Sequence, residues 1–320
     1  MSHYILKRFL HTIPLMLGIT IIAFFIIQLA PGDYFTKLSL NPEIKPETIY
    51  KLKKEFGLDK SPVIQYLMWL RQLIRLNLGQ SMAYHLPVAA LIKERLWNTL
   101  YLSLVSIILT WLIAIPIGIH CATHQYSLSD KAFSVMAFVG MSLPTFFVAF
   151  LFIFAAAYID WLPTGGMTDY QHESYFFWGR VWDYLKHLII PVSVLVATSI
   201  AGLLRLMRAN MLEVLRLPYV TAARAKGLSE RVIIYRHALR NAINPLITIF
   251  GYQLSGLLSG AALTEIITRW PGLGRLMLDA VLKQDIFLVM GGLVISSFLL
   301  IAGNLVADIL LAVSDPRIRY

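Results

Sequence analysis

The sequence predicts an all-α polytopic membrane protein with about six transmembrane helices. Three observations carry that reading. Of the 320 residues, 58% are hydrophobic and only 14% are charged, with a mean hydropathy of +0.66, whereas soluble domains hold about 25% charged residues. Six windows, 9–30, 99–120, 132–159, 187–204, 241–264 and 286–307, contain no Asp, Glu, Lys or Arg. Each is long enough as a helix to cross about 30 Å of hydrocarbon, while a membrane barrel would give only short alternating segments of about 10 residues.

The elements follow in order. The first window has Lys7 and Arg8 ahead of 22 residues without a charge. That run exceeds the apolar core of a secretory signal, about 7–15 residues, and reads as a retained first transmembrane helix. With it, residues 1–30 form an N-terminal segment, and 31–98 form a long loop. In that loop Val63, Leu67, Leu70 and Ile74 recur at helical spacing between Gly and Pro stops, which predicts two or three short helices. Residues 99–320 hold the other five windows and a basic loop, 209–244. Pro14, Pro116, Pro144, Pro191 and Pro245 fall in the windows, where neighbouring helices can satisfy the freed carbonyls. Gly256 and Gly260 form a small-xxx-small pair suited to close helix packing. Trp161, Trp178 and Trp182 mark loop 160–186 as an outer interface.

Charge sets the orientation. With the N-terminus inside, the inner segments carry Lys7, Arg8, Lys131, six Lys and Arg from Arg216 to Arg240, Arg317 and Arg319, 11 in all. The short outer loops carry five: Arg180, Lys186, Arg269, Arg275 and Lys283. The bias predicts both termini inside. Loop 31–98 would lie outside with ten Lys and Arg, but loops beyond about 60 residues largely escape the rule. The net charge of +10 is thus accounted for by inner loops, not by a nucleic-acid surface.

Most chemistries lack their residues. One cysteine, Cys121, allows no internal disulfide and no paired thiol site. No G-x-x-x-x-G-K-[ST] occurs, so the chain has no phosphate-cradling loop and reads as a non-enzyme. There is no HExxH or GxSxG, and the eight histidines are scattered in sequence; catalytic and metal sites are both read as none. Gradient-driven carriers usually hold ionisable groups within the bilayer, and the six windows have none of those four types.

The stretch "YVTAARAKGLSERVIIYRHALRNAINP" stands apart. "TAARAKG" reads as a helix closed by Gly227, and Ser229 as an N-cap with Glu230 in the first turn. By composition alone this is a basic inner loop against anionic lipid. Its pattern resembles the cytoplasmic coupling loop of the membrane subunits of bacterial ABC importers, Glu-Ala-Ala, three residues, then Gly. Here Thr221-Ala222-Ala223 precedes Arg224-Ala225-Lys226 and Gly227. Thr221 in place of the acid, and the tail "RHALRNAINP", resemble the dipeptide/oligopeptide/nickel permease subfamily. The pieces "IPLMLGITIIAFFIIQLAPGD", "EFGLDKSPVIQYLMWL", "LGQS", "ERLWNTLYLSL", "LPTGG", "TEIITRWPGLGRLMLDAVLKQD" and "SDPRIR" extend the likeness over nearly the whole chain. The long first loop resembles the first of the two permeases in such systems.

The resemblance implies a type I ABC importer permease fold in a bacterial inner membrane. It implies a second homologous permease, two cytoplasmic ATPase subunits and an external substrate-binding protein as partners. The chain would hold no cofactor, since ATP and Mg would sit in the ATPases. The cargo would be peptides, or else nickel or another small solute. Thr221, Ala222, Ala223, Arg224, Lys226, Gly227 and Glu230 would form the ATPase-coupling loop, with small side chains deep in a partner groove and Arg224, Lys226 and Glu230 on its rim. For Glu265, Arg269, Trp270, Gly272 and Gly274 two readings stay open: a helix terminus and turn, or an external gate and contact for the binding protein. Arg205 and Arg208 either snorkel to headgroups or line the inner mouth. Substrate-binding residues are unknown; polarity alone points at Tyr252, Gln253, Ser255 or Asn304. The rival classes are a gradient-driven secondary carrier and a membrane scaffold.

Overall fold

The computed structural model describes residues 2–29, 31–39, 42–255 and 261–314. Among these residues the fold is helical, with a single isolated bridge between Gln80 and Pro87 and no strand. The chain divides into two compact units. One holds the residues up to 98 together with 272–301, and the other holds 99–271 and the described residues after 301.

In the first unit α1 (Ser2–Leu29) contains the first predicted span. Three short helices follow: α2 (Tyr34–Leu38), α3 (Pro46–Glu55) and α4 (Pro62–Ile74). Asp33 starts α2 by accepting from the Thr36 amide at 2.6 Å, and Pro46 and Pro62 open α3 and α4, where a missing N–H costs nothing. Tyr66 and Trp69 of α4 are buried with Phe24 of α1 and with Ile286, Met290 and Val294. The Tyr66 and Thr20 hydroxyls pair at 3.0 Å. The long helix α5 (Val88–Thr123) begins here and runs on into the second unit. The same holds for the last helix, Ile286–Ser314. Asp285 caps that helix. It is fully buried, and its carboxylate accepts from the Ser81 hydroxyl at 2.5 Å and from the amides of Ala83 and Leu288 at 3.0 and 3.1 Å.

In the second unit α6 (Leu128–Ser142) and α7 (Thr145–Ala156) pack on α8 (Phe177–Leu215). The third predicted window is therefore not one straight helix: α6 and α7 meet at 107°. Pro144 explains the break. It disfavours helical backbone at the residue before it, and Leu143 is extended, with φ −88° and ψ 128°. Pro14, Pro116 and Pro191 remain inside their helices. The predicted window 187–204 is also too short, since α8 runs 39 residues, about 58 Å at 1.5 Å per residue. Arg180, Asp183 and Lys186 thus lie on a helix and not in a loop, and Arg205 and Arg208 continue it at the other end.

The helices come close. A Cβ on Gly118 would meet Met207 Cβ at 2.8 Å, and one on Gly140 would meet the Ala197 carbonyl at 3.3 Å, the small-residue contact that helices in lipid use for packing. A core of Ala114, Ile119, Leu204, Met207, Met211, Ala238, Ala242 and Leu246 ties α5 and α8 to the basic loop region. The fifth window is described as α12 (Asn244–Ser255) and α13 (Ala262–Ile267). Gly256 and Gly260 lie outside the described residues. The segment Leu273–Leu282 is α14, and Ile286–Ser314 is α15. Among the described residues four helices are long and apolar enough to cross a membrane, five if α6 and α7 count as one broken span.

Candidate functional site

The basic loop folds as an elbow. Its first arm, α9, covers Pro218–Ala225. Gly227 ends it with φ +77°. The Gly227 amide bonds the Arg224 carbonyl at 2.9 Å and the Leu228 amide bonds that of Ala223 at 3.4 Å. That paired closure is a Schellman turn, which wants a left-handed residue where glycine sits. A Cβ on Gly227 would touch nothing within 4 Å, so backbone conformation, not space inside this chain, selects glycine. The second arm starts as α10 (Glu230–Val232), widens into a π-helical turn at Ile233–Ala238 and closes as α11 (Leu239–Ala242). Ser229 holds the N-cap position but makes no side-chain cap bond. No sequence signal marked the π turn.

Each residue of the expected coupling loop has a definite place. Thr221, Ala222, Lys226 and Gly227 are exposed. Ala223 is buried, packed with Val220 and Ile233 against Leu215 at the end of α8. Its small side chain therefore serves the packing of one arm on the other, and this corrects its expected place in a partner's groove. Arg224 and Glu230 meet in a two-pronged pair, Nε to Oε1 at 2.7 Å and the second prong at 3.2 Å. The hydrogen bond from Arg224 holds the Glu230 carboxyl below the usual Glu range, and Glu230 raises the Arg224 guanidinium in turn. Both are exposed. Around them Leu217, Tyr219, Leu228, Val232 and Tyr235 are exposed apolar or aromatic residues. The elbow thus presents apolar side chains among cations, on a backbone anchored to α8.

The second group of candidates is largely internal. Glu265 and Trp270 are fully buried, so neither is a surface contact for a binding protein. The Thr99 hydroxyl donates to Glu265 Oε1 at 2.5 Å, and Trp270 packs with Leu102, Leu188 and Leu195. Arg269 is exposed and has φ +56°, closing α13 in the left-handed region. The Gly166 amide bonds the Thr268 carbonyl at 2.9 Å, and a Cβ on Gly165 would lie 2.8 Å from that oxygen. This contact gives the "LPTGG" stretch its physical reason. Gly272 is buried and extended at the N-cap of α14, and Gly274 is half-buried in that helix.

Two further groupings were not visible in the sequence. Arg208, at the end of α8 opposite its Phe177 start, forks onto Asp130 of α6 at 2.7 and 2.8 Å. Asp130 also accepts from the Tyr126 amide at 2.9 Å. Arg208 is therefore bound inside the chain, whereas Arg205 is exposed beside Ser199 and Gln253. The histidines are not all scattered. His172 Nδ1 lies 2.7 Å from Asp183 Oδ2, and His187 Nδ1 lies 2.8 Å from the Asp183 carbonyl. Asp169, Asp183 and His187 bring ligand atoms within 4.8 Å of one another, a donor set that fits a divalent cation. Lys186, however, places its ammonium 2.6 Å from Asp169 and 3.2 Å from Asp183, so the chain supplies its own cation. The side chains of Tyr252 and Ser255 lie outside those described.

The comparisons with known proteins agree along the chain. Residues 114–320 match the family described as binding-protein-dependent transport system inner membrane component, and residues 1–104 match the N-terminal domain of such membrane components. The chain is 40% identical over 322 residues to the oligopeptide transport system permease protein AppB of Bacillus subtilis, with all of both chains covered. It is 36% identical over 321 residues to a putative peptide transport system permease protein of Brucella abortus, and 34% identical over 335 residues to the dipeptide transport system permease protein DppB of Alkalihalophilus pseudofirmus, again with full coverage of both. This chain belongs to the family of inner membrane components of binding-protein-dependent transport systems.

Proposed function

We propose that this chain forms half of the membrane pathway of an ATP-driven peptide importer. A second, homologous permease supplies the other half, an external binding protein delivers the cargo, and two cytoplasmic ATPases dock on the elbow. Both chain termini then face the cytoplasm. ATP and Mg reside in the ATPases, and this chain contributes no catalytic group. Peptides are the cargo because the oligopeptide and dipeptide permeases it resembles are named for them.

The observation that carries the reading is the elbow's construction. Its exposed face mixes Leu228, Val232 and Tyr235 with Arg224, Lys226 and Arg231, as a docking surface for a soluble partner requires. Its hidden face, Val220, Ala223 and Ile233, packs against the end of α8. Motion imposed on the elbow by closing ATPases would pass to α8 through packed side chains, without a flexible linker. Arg205 and the groove beside it then lie toward the inner mouth of the pathway.

The test is uptake of labelled tripeptides into proteoliposomes that carry the whole transporter, with ATP on the ATPase side. Gly227→Asn keeps a residue that tolerates the left-handed turn and should retain most uptake. Gly227→Trp, whose side chain would project into open space within this chain, should abolish coupled uptake while leaving insertion intact. Full uptake with Trp, or uptake driven by a proton gradient without ATP, would overturn the proposal.

A further inference from the structure

The second unit holds a cavity of about 380 Å³, within the usual range for small-ligand sites of about 300–1,000 Å³. Its polar lining comes from Ser103, Ser106, Thr110, Thr145, Thr198, Ser199 and Gln253, with no charged residue among its described walls. Neutral polar groups at such a density inside an otherwise apolar bundle need a reason.

For four of these groups the hydrogen bonds show which role is left. Ser106 Oγ donates to the Leu102 carbonyl at 2.8 Å, and Thr110 Oγ1 donates to the Ser106 carbonyl at 2.7 Å. Thr198 Oγ1 donates to the Val194 and Leu195 carbonyls at 3.0 and 3.2 Å. Each of these three hydroxyls has spent its one proton on its own helix, so what remains is lone pairs. Gln253 is committed the opposite way. Trp111 Nε1, which can only donate, bonds Gln253 Oε1 at 2.8 Å. That bond fixes the amide orientation and leaves Nε2 as the donor. The cavity therefore offers hydroxyl acceptors on α5 and α8 and an amide donor on α12. A peptide main chain has the matching set of N–H donors and C=O acceptors, and carries them whatever its side chains are.

We infer that this cavity is a way-station that holds the cargo by its peptide backbone and does not read side-chain charge. The inference rests on the importer reading above and adds the site and its chemistry to it. Such a site would let one pathway pass peptides of varied sequence, whereas a charged wall would favour one sign of cargo and retard the other. The adjoining groove, which shares Ser199 and Gln253, leads to Arg205, the first charge along that route.

The experiment uses the whole transporter in proteoliposomes with trialanine, Ala-Lys-Ala and Ala-Glu-Ala as cargo. Removing two acceptors with Ser106→Ala and Thr198→Val should cut uptake of all three by a common factor of about ten, the effect of two ordinary hydrogen bonds. ATP hydrolysis stimulated by the loaded binding protein should persist. Unchanged uptake, or losses that differ between the Lys and Glu peptides, would overturn the inference while leaving the importer intact. Absence of ATP-dependent uptake of any tripeptide by the wild type would instead remove the importer reading and this inference with it. A second measurement does not depend on how the double variant folds. Cys121 is the one native cysteine and is buried, so Ser199→Cys gives an exposed reporter. Bound trialanine should slow its maleimide labelling several-fold during turnover; equal rates with and without cargo would also overturn the inference.

Discussion

Two forked pairs of arginine and carboxylate stand in different surroundings. At the end of α8, Arg208 grips Asp130 with two bonds of 2.7 and 2.8 Å, and the Asp130 side chain is 4% exposed. In the elbow, Arg224 grips Glu230 at 2.7 and 3.2 Å, with side chains 44% and 59% exposed. The geometry is nearly alike and the energetics are not. Water competes for the second pair and salt screens it, so it contributes little to folding. In the first pair Asp130 has left water, so removal of Arg208 strands a buried carboxylate. The inner pair thus pins α6 to α8, while the outer one shapes an exposed surface of the elbow.

That contrast can be broken experimentally, starting where the effect is largest. Arg208→Ala should destabilise the purified chain by about 3 kcal/mol, the lower end for a broken internal pair because Arg208 keeps some exposure. A thermal midpoint equal to wild type would place the two pairs in one class. Glu265→Ala should cost about 2 kcal/mol, since it leaves the buried Thr99 hydroxyl without that acceptor. Glu265→Gln, which keeps an oxygen acceptor, should recover most of the loss in the same melt.

In the elbow, under the proposed coupling role, the effects move from folding to uptake. Arg224→Ala should leave the melting temperature within about a degree, as exposed pairs do, yet lower ATP-dependent uptake about twofold by freeing the rim. A large thermal loss would mean that the pair is structural after all. The smallest effect is with pH. The hydrogen bond from Arg224 lowers the folded Glu230 pKa, so the pair's contribution is complete above the ordinary Glu range. It fades as pH falls through the lowered folded value. The Glu230 carboxyl shift in ¹³C NMR should therefore titrate below a free glutamate, and Arg224→Ala should return it to the ordinary range.

How much was legible depended on distance along the chain. The helical class, the charge-free windows and the turn at Gly227 are local properties, readable from composition and from a residue suited to a left-handed C-terminus. The break at Pro144 was equally local, but a proline within an apolar run fits either a kinked helix or two helices. Only packing on α8 separates them. Helix ends were misplaced where charged residues continue a helix beyond the bilayer-length run, as Arg180 to Lys186 do on α8.

By itself the sequence determined what the chain is made to cross and which stretch stays outside the bilayer, because hydrophobic runs and Lys and Arg placement act residue by residue. Tertiary structure decided the partners. It hid Ala223 and Trp270, paired Arg208 with Asp130 across 78 positions, drew His172 and Lys186 onto Asp183, and turned the hydroxyls of Ser106 and Thr198 back on their own helices. A side chain's free donors and acceptors depend on what has already bonded to it. That is fixed by contacts between distant segments, and no local pattern encodes it.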